Sequence, residues 1–300
     1  MRGYFRTLVL MAGLTALFMA VGAALGGQQG MWVALAMAAA TNLFAWWGSD
    51  SMVLRMQGAQ PIGPQDNPRL HAMVAGLAAR AGIPTPALYI IHENQPNAFA
   101  TGRSPERGAV ALNTGLLEMM DEREVAGVVA HELAHIKHRD TLIMAVTASI
   151  AGAIGFLAQF GFILGRGRDN RPNPLIAILA MLLAPLAAMV VQAAISRSRE
   201  YEADAEGARI CGDPAWLASA LGNLERYKQG MVNERAEANP AAAHMFIVNP
   251  LAGLRMDNLF STHPRTEERI ARLMALRGQV APPPPRPLPR TGFRSPWDRR

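Results

Sequence analysis

Four uncharged apolar stretches constrain this chain more than any other feature, because each is about as long as a helix that crosses a bilayer. They run from Thr7 to Leu25, Met31 to Trp47, Leu142 to Leu164 and Leu175 to Ile195. Composition agrees: half of the 300 residues are hydrophobic and only 17% are charged, too apolar for an ordinary soluble enzyme. The first two stretches, joined by the polar link Gly26 to Gly30, read as a membrane hairpin. The basic start, Arg2 and Arg6, also suits a signal peptide, but the long run and its immediate successor favour an uncleaved anchor. The last two fold as an antiparallel pair whose outer ends return to one membrane face, with Pro185 tolerable inside a packed membrane helix.

Arg2, Arg6 and Arg55 place the N-terminus and the polar segments on the inner side. Arg166, Arg168 and Arg171 in the third loop conflict with four full crossings, and a second hairpin that dips in without crossing is the other reading.

Between the hairpins lies Ala130-His131-Glu132-Leu133-Ala134-His135. On a helix, residues four apart share a face, so both imidazoles can point at one divalent ion while Glu132 faces the water beside it. Asp121 to Glu124 reads as a capping box, and Val125, Val128, Val129, Leu133 and Ile136 supply an apolar face, which predicts a helix from Glu122 to Asp140. A catalytic zinc needs a third protein ligand and an open position. Glu200, on a second predicted helix opening at Arg197, is a candidate; Asp204 lies one turn on and could orient a histidine ligand, while Glu202 faces away. The sole cysteine, Cys211, rules out an intrachain disulfide and a thiolate cluster, and reads as a small apolar residue under a helix.

The segments HELAHIKHRD and SRSREYEAD, with PNAFATG at Pro96 to Gly102, VALNTGLL at Val110 to Leu117 and THP at Thr262 to Pro264, resemble the HtpX-type membrane metalloproteases, relatives of the prenyl-protein (CAAX) zinc proteases. The resemblance spans most of the chain. It implies an α+β, mainly helical zincin-like (gluzincin) domain with a small sheet and about four transmembrane helices. It also implies one zinc ion per chain on His131, His135 and Glu200, with Glu132 as general base and Asp204 beside a ligating histidine. By the same resemblance the protein is a multi-pass protein of the bacterial inner membrane with its catalytic domain facing the cytoplasm. Its substrates would be damaged or misassembled membrane proteins.

The remaining segments place the substrate. A helix is predicted over Asn67 to Ala81, then strands at Ala87 to Ile91, Asn97 to Ala100 and Ala109 to Leu112. A sheet edge beside the zinc helix would hold an extended peptide, with Asn97 a candidate contact; a turn role after Pro96 is the alternative. His263 or Arg269 could stabilise an oxyanion; equally, Thr262 or His263 could cap a helix begun near Pro264. His138 reads as a surface residue near the membrane rather than a fourth ligand. Asn233 to Ala243 reads as a mobile loop bordering the cleft, and Ala281 to Arg300, with six prolines besides Pro282 and five arginines against one aspartate, as an extended tail.

The expected layout is therefore a hairpin (1–50), the first half of the protease domain (51–141), a second hairpin (142–196), the second half (197–279) and the tail (280–300). The partners expected are polypeptides, unfolded or membrane-bound, and the lipid bilayer. The charge outside the tail is too nearly balanced for a nucleic-acid surface, and no Walker-type Gly-rich loop with Lys suggests a nucleotide. Two other functions stay open: maturation of lipid-modified peptides, and a membrane scaffold or transporter with a structural metal.

Overall fold

The computed structural model describes residues 57–141, 197–230 and 264–280, with 53–55 and scattered positions between 12 and 43. The segments expected as the second hairpin, the 233–243 loop and the tail, together with His263 and parts of the first hairpin, lie outside the described residues. Among those described, no helix is long and apolar enough to cross a membrane. Residues 27–40 are helical, so the link expected at Gly26 to Gly30 is helical from Gly27 onward. Ala34 and Ala38 are buried, while Trp32, Val33 and Met37 on the same helix are exposed at 58%, 62% and 46%.

The body is mainly helical with one small sheet. Its elements are β1 (Gln60–Ile62), α1 (Pro68–Ala81), β2 (Ala87–Ile91), β3 (Ala98–Thr101), β4 (Ala109–Asn113) and α2 (Thr114–Met119), followed by α3 (Glu122–His138), α4 (Arg197–Cys211), α5 (Pro214–Gly230) and α6 (Thr266–Ala275). The sheet order is β1-β2-β4-β3; β2 and β4 run parallel, and the two outer strands are antiparallel to their neighbours. β1 is missing from the sequence expectation because three residues containing Pro61 carry no alternation, and proline is tolerated only at an edge such as this.

The centre of the body is α3. Asp121 Oδ1 accepts from the Glu124 amide at 2.8 Å and Glu124 Oε2 accepts from the Asp121 amide at 3.1 Å, closing the capping box that starts the helix. The other Glu124 oxygen accepts from Ser219 Oγ and Asn223 Nδ2 of α5 at 2.6 and 2.7 Å, so the same side chain starts one helix and ties it to another. Every residue from Val125 to Ile136 is buried, not only the expected apolar face. The reason is the small side chains between the valines: Ala126, Gly127, Ala130 and Ala134 let α1, α4, α5 and the sheet close round all sides. Burying each valine, leucine or isoleucine there contributes roughly 1.5–3 kcal/mol.

Two glycines set how close the helices come. A Cβ on Gly207 of α4 would lie 2.9 Å from the His131 backbone nitrogen, and one on Gly127 of α3 would lie 2.6 Å from that of Leu217 in α5. α4 and α5 therefore rest on α3 backbone against backbone.

The helix ends two residues before the expected Asp140. Arg139 has φ 63° and ψ 27°, a left-handed C-cap whose amide bonds back to the His135 and Ile136 carbonyls. That reversal brings Asp140 and Thr141 inward, where Thr141 Oγ1 donates to the Gly102 carbonyl at 2.7 Å and both residues are buried.

Candidate metal centre and active site

His131 and His135 project from one face of the buried α3, and Glu200 meets them from the first turn of α4. His135 Nε2 stands 3.2 Å from His131 Nε2 and 3.6 Å from Glu200 Oε1, and His131 Nε2 stands 3.8 Å from Glu200 Oε2. All three are buried, and their donor atoms lie within 4.8 Å of one another, a grouping that could hold one metal ion. Donors on a tetrahedral zinc ion at about 2.0–2.1 Å stand about 3.3 Å apart, so the three separations match within about half an ångström.

The outer ring nitrogens support the same fit. His135 Nδ1 is 3.2 Å from Asp140 Oδ2, and His131 Nδ1 is 3.0 Å from Asp204 Oδ1, the latter at an angle short of a full hydrogen bond. A carboxylate at Nδ1 orients each ring so that its Nε2 turns to the space shared with Glu200. Nitrogen and oxygen donors with no thiolate suit zinc.

Glu132 is buried next to the pair. Burial pushes its carboxyl up from the ordinary carboxylate range, the neighbouring histidines partly oppose that, and the Ala100 amide of β3 hydrogen-bonds to it. For His135, burial alone would lower the imidazole, but the Asp140 hydrogen bond and the Glu200 and Glu132 charges outweigh it and raise it to about 9 in the metal-free chain.

Asp204 does more than face a histidine. Arg269 Nε and Nη2 reach its two oxygens at 2.8 and 2.7 Å, with both residues buried. Arg269, expected as a candidate for oxyanion stabilisation, is thus engaged on Asp204, its Nη1 reaching only to 3.9 Å from Glu200 Oε2. Outside this pair, Arg272 of α6 stacks 3.8 Å over the Tyr201 ring of α4, and Thr266 Oγ1 donates to Glu225 of α5 at 2.8 Å. α6 is the buttress that carries Arg269 to the centre.

Burial alone would raise the Asp204 carboxyl, but the Arg269 charge and hydrogen bonds hold it at about 2 against an ordinary 3.8. A depressed pKa contributes stability that is complete above about pH 4 and lost as pH falls through 2, here about 2 kcal/mol. Thermal melts of metal-free protein and of Asp204→Asn between pH 5 and 2 are expected to converge as pH falls; a constant gap would show that Asp204 is not the group titrating.

Asn97 stands buried just before β3, its carbonyl accepting from the Asn113 amide at 2.9 Å. That bond and the register set Phe99 and Thr101 toward β4, so the backbone groups of Ala98 and Ala100 face the open edge. Glu202 and His138 are exposed, and Cys211 is buried at the end of α4. Sequence reasoning missed Asp140 and Arg199: Arg199 Nε lies 3.8 Å from Asp140 Oδ1, and both are buried. The nearest signal is the antiparallel folding of the last two apolar stretches, which brings the chain ends beside Asp140 and Arg197 together.

Comparison with known proteins places these residues in a wider setting. The sequence pattern described as Peptidase family M48 matches residues 64–277, which include every described residue of the centre. Among solved structures, the crystal structure of S. mikatae Ste24p superposes with a TM-score of 0.53 at 18% identity. The superposition covers 87% of this chain, and the chain spans 62% of the length of that protein.

Proposed function

The chain belongs to peptidase family M48, and from that premise we propose a membrane-anchored zinc endopeptidase that hydrolyses peptide bonds in misfolded or damaged membrane proteins. The observation that carries this reading is the buried His131, His135 and Glu200 grouping with the carboxylate of Glu132 beside it. Those three residues would hold zinc, which supplies Lewis-acid chemistry: it acidifies water and polarises a carbonyl.

The rest falls to the chain itself. Glu132, buried beside the two histidines, accepts the proton of the attacking water and returns it to the leaving amine. Asp204 and Arg269 hold the His131 ring in orientation. An extended substrate lies along β3, where the outward groups of Ala98 and the Ala100 carbonyl offer backbone hydrogen bonds with little demand on sequence, which suits varied unfolded clients. His263 remains a candidate for oxyanion stabilisation and Asn97 for substrate contact.

Membrane anchorage through the four apolar stretches is supported by their length and by the exposed Trp32, Val33 and Met37, an apolar face that water does not favour. The division into two hairpins, a split protease domain and a tail follows from the same reading, as do placement in the bacterial inner membrane and a catalytic domain facing the cytoplasm.

Chelation tests the whole. The detergent-purified chain is expected to cleave unfolded casein, to lose that activity with its zinc on treatment with a strong chelator, and to regain it with one zinc per chain. Cleavage that survives complete zinc removal would overturn the reading.

A further inference from the structure

We infer that Asp140 and Arg199 form a clasp that positions two arms of the metal centre at once and ties it to the ends of the 142–196 segment. One oxygen of Asp140 faces His135 Nδ1 at 3.2 Å and the other faces Arg199 Nε at 3.8 Å. Arg199 is the residue before Glu200 on α4, so a single carboxylate links a ligand on one helix to the turn that carries a ligand on the other. The inference rests on the metal-centre reading and adds to it residues that the His131, His135 and Glu200 grouping does not contain.

The local backbone supports this. Were α3 to continue, Asp140 would stand five residues beyond His135, about 140° round the helix and facing away. The left-handed Arg139 turns the chain back and delivers the carboxylate to the ring. Arg139 is also the one non-glycine residue with positive φ among the described residues. A strained residue type at that point is consistent with a placement that the neighbouring contacts require.

The centre is then built twice over. Each histidine presents Nδ1 to an aspartate, and each aspartate faces a buried arginine: His131 with Asp204 and Arg269, His135 with Asp140 and Arg199. A carboxylate at Nδ1 orients the ring and raises its basicity toward a metal, while the guanidinium keeps the buried carboxylate from standing as an uncompensated charge. The two units differ in what they join. Arg269 comes from the buttress α6, whereas Asp140 and Arg199 flank the segment 142–196. Moving Asp140 away from His135 would withdraw the partner of that ring, so the clasp contributes to metal affinity.

Zinc affinity of the full chain in detergent, measured by competition with a chromophoric chelator, tests the clasp, together with the visible spectrum of the cobalt-substituted protein. Asp140→Asn is expected to weaken zinc binding about 10- to 100-fold and to shift the cobalt bands. Arg199→Gln is expected to cost about tenfold, Arg199→Lys to recover most of that, and the double variant to bind no more weakly than Asp140→Asn alone. Glu206→Gln, which breaks the exposed pair with Lys137, is the control and is expected to move neither readout. Additive losses in the double variant, or wild-type affinity and spectrum in Asp140→Asn, would overturn the clasp while leaving the metal centre standing. Should Asp140→Asn not fold, the Arg199 variants decide: a cobalt shift in Arg199→Gln reversed in Arg199→Lys supports the clasp, and an unchanged spectrum in both overturns it. Failure of the wild type to bind zinc would overturn the metal-centre reading and the clasp with it.

Discussion

Glu132→Gln is expected to lower cleavage of unfolded casein about 10²- to 10⁴-fold while the purified protein keeps one zinc per chain. The amide fills the same volume in a buried position and leaves His131, His135 and Glu200 in place, so metal content should not change. What it removes is the basic oxygen that takes the proton from water. Loss of cleavage with metal retained separates a general base from a ligand, whereas loss of both would make Glu132 part of the metal-holding set. Equal activity in the two proteins would remove Glu132 from the mechanism and point to a contaminating protease.

The second large effect concerns stability. Arg269→Met is expected to destabilise the protein by about 3–5 kcal/mol, because it leaves Asp204 as an uncompensated charge in a site where both partners are almost wholly buried. Adding Asp204→Asn to Arg269→Met removes that charge and is expected to recover part of the loss, while zinc affinity stays low because His131 has lost its carboxylate. Urea unfolding of the metal-free proteins, followed by zinc titration, reads the two effects separately. A double variant less stable than Arg269→Met would show that the pair acts through packing rather than charge compensation.

Much of this centre is legible in the sequence, for reasons that are local. The helical period alone brings His131 and His135 to one face, and Asp121 and Glu124 announce where that helix begins. The same period brings Glu200 and Asp204 together one turn apart on α4. The strands β2, β3 and β4 stand within a residue of their expected bounds because short apolar runs holding β-branched or aromatic residues lie between clear turns.

What escapes depends on events the period does not encode. Asp140 reaches His135 only because Arg139 adopts a conformation that favours glycine, and an arginine gives no warning of it. Arg269 meets Asp204 across 65 positions, so periodicity could mark it as inward-facing on α6 without saying which group it would meet. The burial of α3 on all sides is hidden in the same way. Its alanines and glycine read as neutral filler until the helices they admit are in place.

The contacts at Gly127 and Gly207 bear on what holds the spacing of the centre. At Gly127 and Gly207, α3 meets α5 and α4 backbone to backbone, with no side chain between them to swing aside or compress. Sliding or parting those helices would break main-chain packing on both flanks at once, next to His131 itself. On its remaining side the centre meets β3, a four-residue strand with a sheet neighbour on one side only, whose Ala100 amide bonds Glu132. The close backbone contact at Gly207 thereby fixes the spacing of α3, which carries the histidines, to α4, which carries Glu200, independently of what lies along the sheet edge.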